Sequence, residues 1–271
     1  MFFDAHFHLI DCISRNCFSF DKNWNGCACF CSKDEFNFYK SLLTPDCSGG
    51  EASAFGTAGY QATKSRFLEG FGSNLKIAFG IHPLILNMDE VDFLQKLVEE
   101  KQIDAIGEAG FDFFTENAKA TEDLQIKAWE FQLDLAINHN LPLIVHCRKA
   151  NHKLFEYSKK IKNVKAVLFH SFMGTSTEAL SLKSRGINAF FSFGKQILNN
   201  NKKVLDCAKN LPLDCLLWET DAPYQTLKNQ QNTFSSEIFD VYKAAWNLRS
   251  DEVGFENFVN LAEENFKRIF D

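Results

Sequence analysis

The sequence predicts an α/β protein folded as a single-domain (β/α)8 barrel of the TIM type over residues 1–271. Eight apolar runs of strand length recur along the chain, segments with helical periodicity separate most of them, and no glycine-rich phosphate fingerprint follows any run. Apolar strands that alternate with helices form parallel sheets covered on both faces. Eight of them in about 220 residues favour a closed barrel over the alternative, an open doubly wound sheet.

The eight predicted strands are short and rich in apolar residues. The first opens the chain and carries two histidines at alternate positions, His6 and His8. The strands are expected at residues 2–8, 26–32, 76–81, 103–108, 141–146, 166–170, 187–192 and 215–220.

Helical periodicity is clearest at residues 121–140, where Leu124, Ala128, Phe131 and Leu135 form an apolar stripe. The remaining helices are expected at residues 34–43, 89–101, 152–161, 177–185, 197–209, 235–248 and 252–270. Residues 44–74 are rich in Gly, Ser and Ala and longer than a strand–helix connection needs. They are expected to be irregular, either a flap beside a site or a loosely packed excursion.

The composition indicates a globular protein, with 45% hydrophobic and 24% charged residues. The N-terminus lacks the features of a signal peptide, and no apolar run approaches the about 18 residues of a membrane helix. We therefore expect a cytoplasmic protein without membrane association, and we infer no obligate protein partner. A net charge of −6 gives no global attraction for nucleic acid, so a phosphate substrate requires a local patch or a metal.

Nine cysteines, an odd number, indicate free thiols in a reducing compartment. Cys27, Cys29 and Cys31 alternate along a predicted strand and share one face. A zinc–thiolate site there would lack the usual C-x-x-C spacing. We therefore interpret them as small buried hydrophobic residues.

Polar residues lie at the carboxyl ends of the predicted strands, where the active site of a (β/α)8 barrel is built. His6 and His8 point to the same side of the first strand and are able to bind one ion together. The full set comprises His6, His8, Glu108, His146, His170 and Asp221. Nitrogen and oxygen ligands suit Zn, Mn, Ni or Fe, and suit Mg less well. Six ligands exceed one tetrahedral site and suit two ions that share a carboxylate.

Seven motifs in this chain extend the pattern to nearly its whole length: DAHFH at 4–8, GIHP at 80–83, IGEAGFD at 106–112, PLIVHCR at 142–148, HSFMG at 170–174, ETDAPY at 219–224 and NFKRIF at 265–270. With these motifs in this order, the chain resembles the TatD family of metal-dependent deoxyribonucleases, within the amidohydrolase-type barrels.

The resemblance implies two divalent metal ions and hydrolysis of phosphodiester bonds. His6, His8 and Asp221 would hold one ion, His146 and His170 the other, and Glu108 would bridge them. A metal-activated water would attack phosphorus, with Asp221 as general base. DNA or a small phosphodiester is the expected substrate.

Residues around this set carry weaker expectations. His82 and Arg148 are candidate contacts for a phosphate group of the substrate. Tyr224 is a candidate for stacking on a base. A structural role for His82 and Tyr224, and a salt bridge from Arg148 to Asp112 or Glu219, are the alternatives. Asp4 and Glu219 are expected to orient metal ligands.

Two departures from the family pattern bear on the substrate. Ser171 and Met173 replace a cysteine and a small hydroxyl residue, and residues 225–234 lack the usual Asn-Glu-Pro element. A hydrolase of small-molecule esters or amides with the same two-metal site is therefore an alternative, and a non-enzymatic binding protein is a third.

Overall fold

The computed structural model describes residues 1–21, 23–44, 56–70 and 75–271. Eight parallel strands form one sheet in which each strand pairs with the next along the chain. The strands are β1 (Phe2–Phe7), β2 (Trp24–Phe30), β3 (Lys76–Phe79), β4 (Ala105–Asp112), β5 (Leu143–Arg148), β6 (Val167–Phe169), β7 (Ala189–Phe193) and β8 (Leu216–Trp218).

Main-chain hydrogen bonds join the first strand to the chain that follows the last. The N–H of Asp221 donates to the carbonyl of His6 over 3.0 Å, and the N–H of His8 donates to that of Ala222 over 2.8 Å. The sheet is thus a nearly closed barrel, which confirms the predicted fold class.

Helices cover the outside of the sheet. In chain order they are α1 (Leu9–Ser14), α2 (Lys33–Leu43), α3 (Gly56–Gly70), α4 (Val91–Glu99), α5 (Glu116–Lys119), α6 (Glu122–Asn138), α7 (Asn151–Glu156), α8 (Ser158–Ile161), α9 (Ser176–Ser184), α10 (Lys202–Asn210), α11 (Ile238–Asn247) and α12 (Phe255–Phe270). Of the helices among the described residues, none combines the length and apolar content needed to cross a bilayer.

Some predicted helix boundaries are wrong. The helix expected at 197–209 begins only at Lys202, because Asn200 is left-handed (φ 54°) and the Asn201 side chain caps the helix by accepting the N–H groups of Lys203 and Val204. The helix expected at 152–161 is divided into α7 and α8.

The region 44–74 is helical in part, contrary to the prediction. Within α3, Phe67 is fully buried and packs against Phe18 and Tyr39. Gly and Ser residues in this stretch mask the helical pattern in the sequence. Residues 45–55 and 71–74 of the predicted irregular region lie outside the described residues.

Candidate active site

The six predicted metal ligands converge at the carboxyl end of the barrel. The two oxygens of the Glu108 carboxylate face different pairs of histidines. Oε2 lies 3.2 Å from Nε2 of both His6 and His8, whereas Oε1 lies 2.8 Å from Nε2 of His170 and 3.1 Å from Nδ1 of His146. One buried carboxylate therefore separates two clusters of ligating atoms.

Asp221 completes the first cluster. Its Oδ1 lies 3.6 Å from Nε2 of His6 and 3.5 Å from Nε2 of His8. Its backbone is left-handed (φ 53°), a conformation that aspartate adopts more readily than most residues. The hydrogen bond from its N–H to the His6 carbonyl joins the chain after β8 to β1 and so holds the carboxylate beside the histidines.

Glu108 lies within β4, so the predicted strand end at this residue is wrong. β4 continues to Asp112, and its register against β5 shifts between Ile106 and Ala109. Glu108 therefore occupies an irregular part of the strand, where a carboxylate turns toward the barrel mouth.

Two glycines allow this irregularity. Gly107 and Gly110 have φ values of 135° and 145°, which side-chain-bearing residues rarely adopt. A Cβ at either position would clash with the carbonyl oxygen of Ile144 or His146 on β5. The close approach of β4 to β5 at these glycines brings Glu108 and His146 together.

The geometry of the site fits divalent cations. Among the described residues, Nε2 of His6 and Oε2 of Glu108 are buried 3.2 Å apart, and neither makes a well-aligned hydrogen bond. Such atoms are costly unless something pairs with them. Nitrogen–oxygen separations of 3.2–3.6 Å in the first cluster match the spacing of ligands that each lie about 2.0–2.2 Å from one ion.

The carboxylates and histidines shift each other's protonation. Burial alone would lower the pKa of His8, but the adjacent carboxylates of Asp221 and Glu108 outweigh it and raise this pKa to about 10. Burial likewise opposes ionisation of Glu108, yet the surrounding histidines hold its pKa well below the usual range. The cluster therefore favours anionic carboxylates that require positive charge beside them.

Asp112 belongs to the site, although the sequence analysis considered it only as a partner for Arg148. Its Oδ2 lies 2.9 Å from Nε2 of His146. The signal was present in the spacing, because Glu108 and Asp112 are four residues apart and such residues share a strand face. Glu219, expected to orient a ligand, has its Oε1 3.4 Å from Nδ1 of His170.

Asp4 contacts Thr220 and the main chain of His6, and it contacts no metal-ligand ring. Its carboxylate accepts hydrogen bonds from Thr220 Oγ1 at 2.6 Å, from the Thr220 N–H at 2.9 Å and from the His6 N–H at 3.2 Å. Asp4 therefore fixes β1 against the segment that carries Asp221.

His82 joins the second cluster, with Nε2 3.6 Å from Oε1 of Glu108. Its Nδ1 accepts the N–H of Leu84 at 3.1 Å, and burial lowers its pKa. The neutral ring therefore carries its proton on Nε2 and faces the site as a donor.

Arg148 and Tyr224 lie at the rim of a cavity of about 620 Å³ that opens above the clusters. The guanidinium of Arg148 lies 3.5 Å above the Phe114 ring, and no salt bridge from Arg148 to Asp112 or Glu219 forms among the described residues. The Tyr224 hydroxyl donates to Asp11 at 2.7 Å, and its ring is 40% exposed.

Cys27 and Cys29 in β2 are buried, as predicted, and so is Cys31, which directly follows the strand. The sequence analysis did not anticipate that two of them adjoin the site. The sulfur of Cys29 lies 3.1 Å from Nδ1 of His6, and Cys31 lines the cavity. Burial and the nearby Glu108 carboxylate raise the pKa of Cys31 well above its usual range.

Comparisons with known proteins converge on one family. Residues 3–271 match the family model described as TatD related DNase. The chain is 31% identical over 199 residues to the metal-dependent hydrolase YabD of Bacillus subtilis, covering 71% of this chain and 76% of the relative. It is 29% identical over 211 residues to the metal-dependent hydrolase YcfH of Escherichia coli, covering 76% and 77%. The solved structure of YJJV, a TatD homologue from Escherichia coli, has a TM-score of 0.77 at 22% identity and covers 99% of this chain and 97% of its own.

Proposed function

Since the chain belongs to the TatD family of metal-dependent hydrolases, we propose that it uses two divalent ions to hydrolyse phosphodiester bonds in DNA. The observation that carries the proposal is the position of Glu108, whose two carboxylate oxygens each face a separate pair of histidines. A carboxylate shared in this way is the usual bridge between two catalytic ions.

The ligands divide between the two ions according to these distances. His6, His8 and Asp221 would hold one ion, His146 and His170 would hold the other, and Glu108 would serve both. Bound ions lower the pKa of a coordinated water towards about 7 and neutralise charge on the phosphate oxygens.

Asp221 acts as the general base in this proposal. Its Oδ1 faces the histidines, while its Oδ2 accepts a hydrogen bond from Nε2 of Gln225 at 2.9 Å. That hydrogen bond fixes the plane of the carboxylate, so that one of its oxygens can receive the proton of the attacking water.

His82 is a donor to the substrate in this proposal, not a seventh metal ligand. The nitrogen that faces the cavity carries the proton, because the other ring nitrogen accepts the Leu84 N–H. An imidazole N–H is suited to a phosphate oxygen.

The rim of the cavity supports a nucleic-acid substrate over a small ester. Arg148 stacks on Phe114, which is 52% exposed, and Arg15 lies 5.1 Å from the Tyr224 ring. Exposed aromatic rings next to guanidinium groups suit stacked bases and adjacent phosphates. The guanidinium groups of Arg148 and Arg15 also add positive charge at the rim, which an acidic protein needs locally to attract phosphate.

The test is an activity panel with protein stripped of metal and reloaded separately with Zn²⁺, Mn²⁺ or Mg²⁺. We expect cleavage of single-stranded or double-stranded DNA in at least one loaded form and none in the Glu108→Ala variant. Hydrolysis of esters or amides without cleavage of DNA would instead support the alternative substrate class. If the protein binds no metal and cleaves nothing, the enzymatic proposal is wrong.

A further inference from the structure

The end of β2 places a thiol beside the first metal-ligand cluster. Cys31 directly follows this strand, and its side chain is 5% exposed and lines the cavity. Its sulfur, a ring nitrogen of His8 and a carboxylate oxygen of Glu108 all lie within 4.8 Å of one another. No step of the proposed hydrolysis uses this sulfur.

A buried oxygen in the same group of ligating atoms indicates that a cation belongs next to the sulfur. Oε2 of Glu108 accepts no well-aligned hydrogen bond among the residues the structure describes, and its nearest neighbours are Nε2 of His6 and Nε2 of His8, each 3.2 Å away. A sulfur, an imidazole and a carboxylate form a donor set characteristic of zinc, with zinc–sulfur distances of about 2.3 Å and zinc–nitrogen distances of about 2.0–2.1 Å.

We propose that the Cys31 thiolate is an additional ligand of the ion held by His6, His8 and Asp221, and that it makes this position selective for Zn²⁺ over Mn²⁺ and Mg²⁺. The inference rests on the proposed two-metal function. When the ion binds, the thiol proton leaves to solvent and the sulfur lone pair forms the new bond. A thiolate favours zinc because manganese and magnesium prefer oxygen ligands.

A second cysteine of the cavity provides a matched control. Cys147 also lines the cavity and follows a ligand histidine, but its Sγ lies 3.6 Å from Oδ1 of Asn151. Within the described parts of the chain, it joins none of the groups of three ligating atoms that lie within 4.8 Å of one another. Cys147 is therefore a thiol in the same cavity, more exposed than Cys31, that lacks neighbouring ligands placed to share an ion with it.

The direct test is the absorption spectrum of the stripped protein loaded with Co²⁺, which reports sulfur ligation independently of activity. We expect a near-ultraviolet thiolate-to-cobalt charge-transfer band that persists in Cys147→Ser and disappears in Cys31→Ser. If cobalt binds and the wild-type band is absent, or if the band persists in Cys31→Ser, the inference is wrong and the two-metal function stands. If no cobalt binds, the proposed function fails as well.

Metal competition tests the selectivity. In Cys31→Ser we expect the affinity for Zn²⁺ to fall at least about 10-fold, with the affinity for Mn²⁺ nearly unchanged. An equal loss for both metals, or no loss for either, contradicts the selectivity. Should the serine variant fail to fold, Cys31→Ala is used for the same comparison. The cobalt spectrum of the wild-type protein tests sulfur ligation without any variant.

Discussion

The carboxylate of Asp112 lies 2.9 Å from Nε2 of His146, and the opposite ring nitrogen, Nδ1, lies 3.1 Å from Glu108. The aspartate thereby holds the proton on Nε2 and leaves the Nδ1 lone pair facing the metal cluster. His146 thus offers Nδ1 to its ion, whereas His6 and His8 offer Nε2.

Replacing Asp112 with Asn should weaken metal binding about 10–100-fold, because the amide no longer selects this tautomer. Chelator competition measures the affinity, and Asp123→Asn on the exposed start of α6 serves as the control. An unchanged affinity in Asp112→Asn would show that the carboxylate does not orient His146.

Metal loading should depend steeply on pH. The pKa of His8 is raised to about 10 by Asp221 and Glu108, so at pH 7 the ring binds a proton that must leave before a cation can bind. Apparent metal affinity should therefore rise with pH until it levels off near pH 10. Calorimetry in buffers of different ionisation enthalpy counts the protons released, and release near zero throughout this range would contradict the account.

Arg148 should contribute to substrate binding and not to the metal site. In Arg148→Ala we expect KM for DNA to rise about 10-fold, equivalent to about 1.4 kcal/mol, with kcat and metal content unchanged. Arg66→Ala is the matched control, since Arg66 also lies over a phenylalanine ring, Phe20 at 4.1 Å, away from the cavity. A decrease in kcat without a change in KM would remove Arg148 from phosphate binding.

A buried lysine should stabilise the segment that carries Gln225. Lys195 is fully buried, and its ammonium contacts Gln230, Thr233 and Glu237. Lys195→Met removes the buried positive charge beside the Glu237 carboxylate and should lower the free energy of unfolding by about 3 kcal/mol. Urea denaturation measures the change, with exposed Lys159→Met as the control. Equal stability of the two variants would contradict a supporting role for the buried ammonium.

The strand pattern was predictable because each strand is an apolar run, and the barrel rule then placed six polar residues at one end. The same rule failed in detail at Glu108, since the irregular register of β4 depends on how Gly107 and Gly110 pack against β5. Such packing leaves no periodic signal in the sequence. Asp112 was missed for a different reason, because the predicted strand ended at Glu108 and so left Asp112 outside it.

The sequence patterns also could not predict the short helices or the residues that contact the cysteines. Six residues, as in α1, are too few to show helical periodicity. The alternation of Cys27, Cys29 and Cys31 correctly indicated a buried face. Alternation cannot reveal which residues that face contacts, which in this fold are His6 on the neighbouring strand and the residues of the cavity.

The number of divalent ions per chain tests the central claim most directly. Protein stripped of metal, reloaded with Zn²⁺ and separated from free ions should contain two ions per chain by elemental analysis. Glu108→Gln should contain at most one, while Glu99→Gln on the exposed face of α4 should keep both. A single ion in the wild-type protein, or two ions retained in Glu108→Gln, would contradict a carboxylate bridge between two metals.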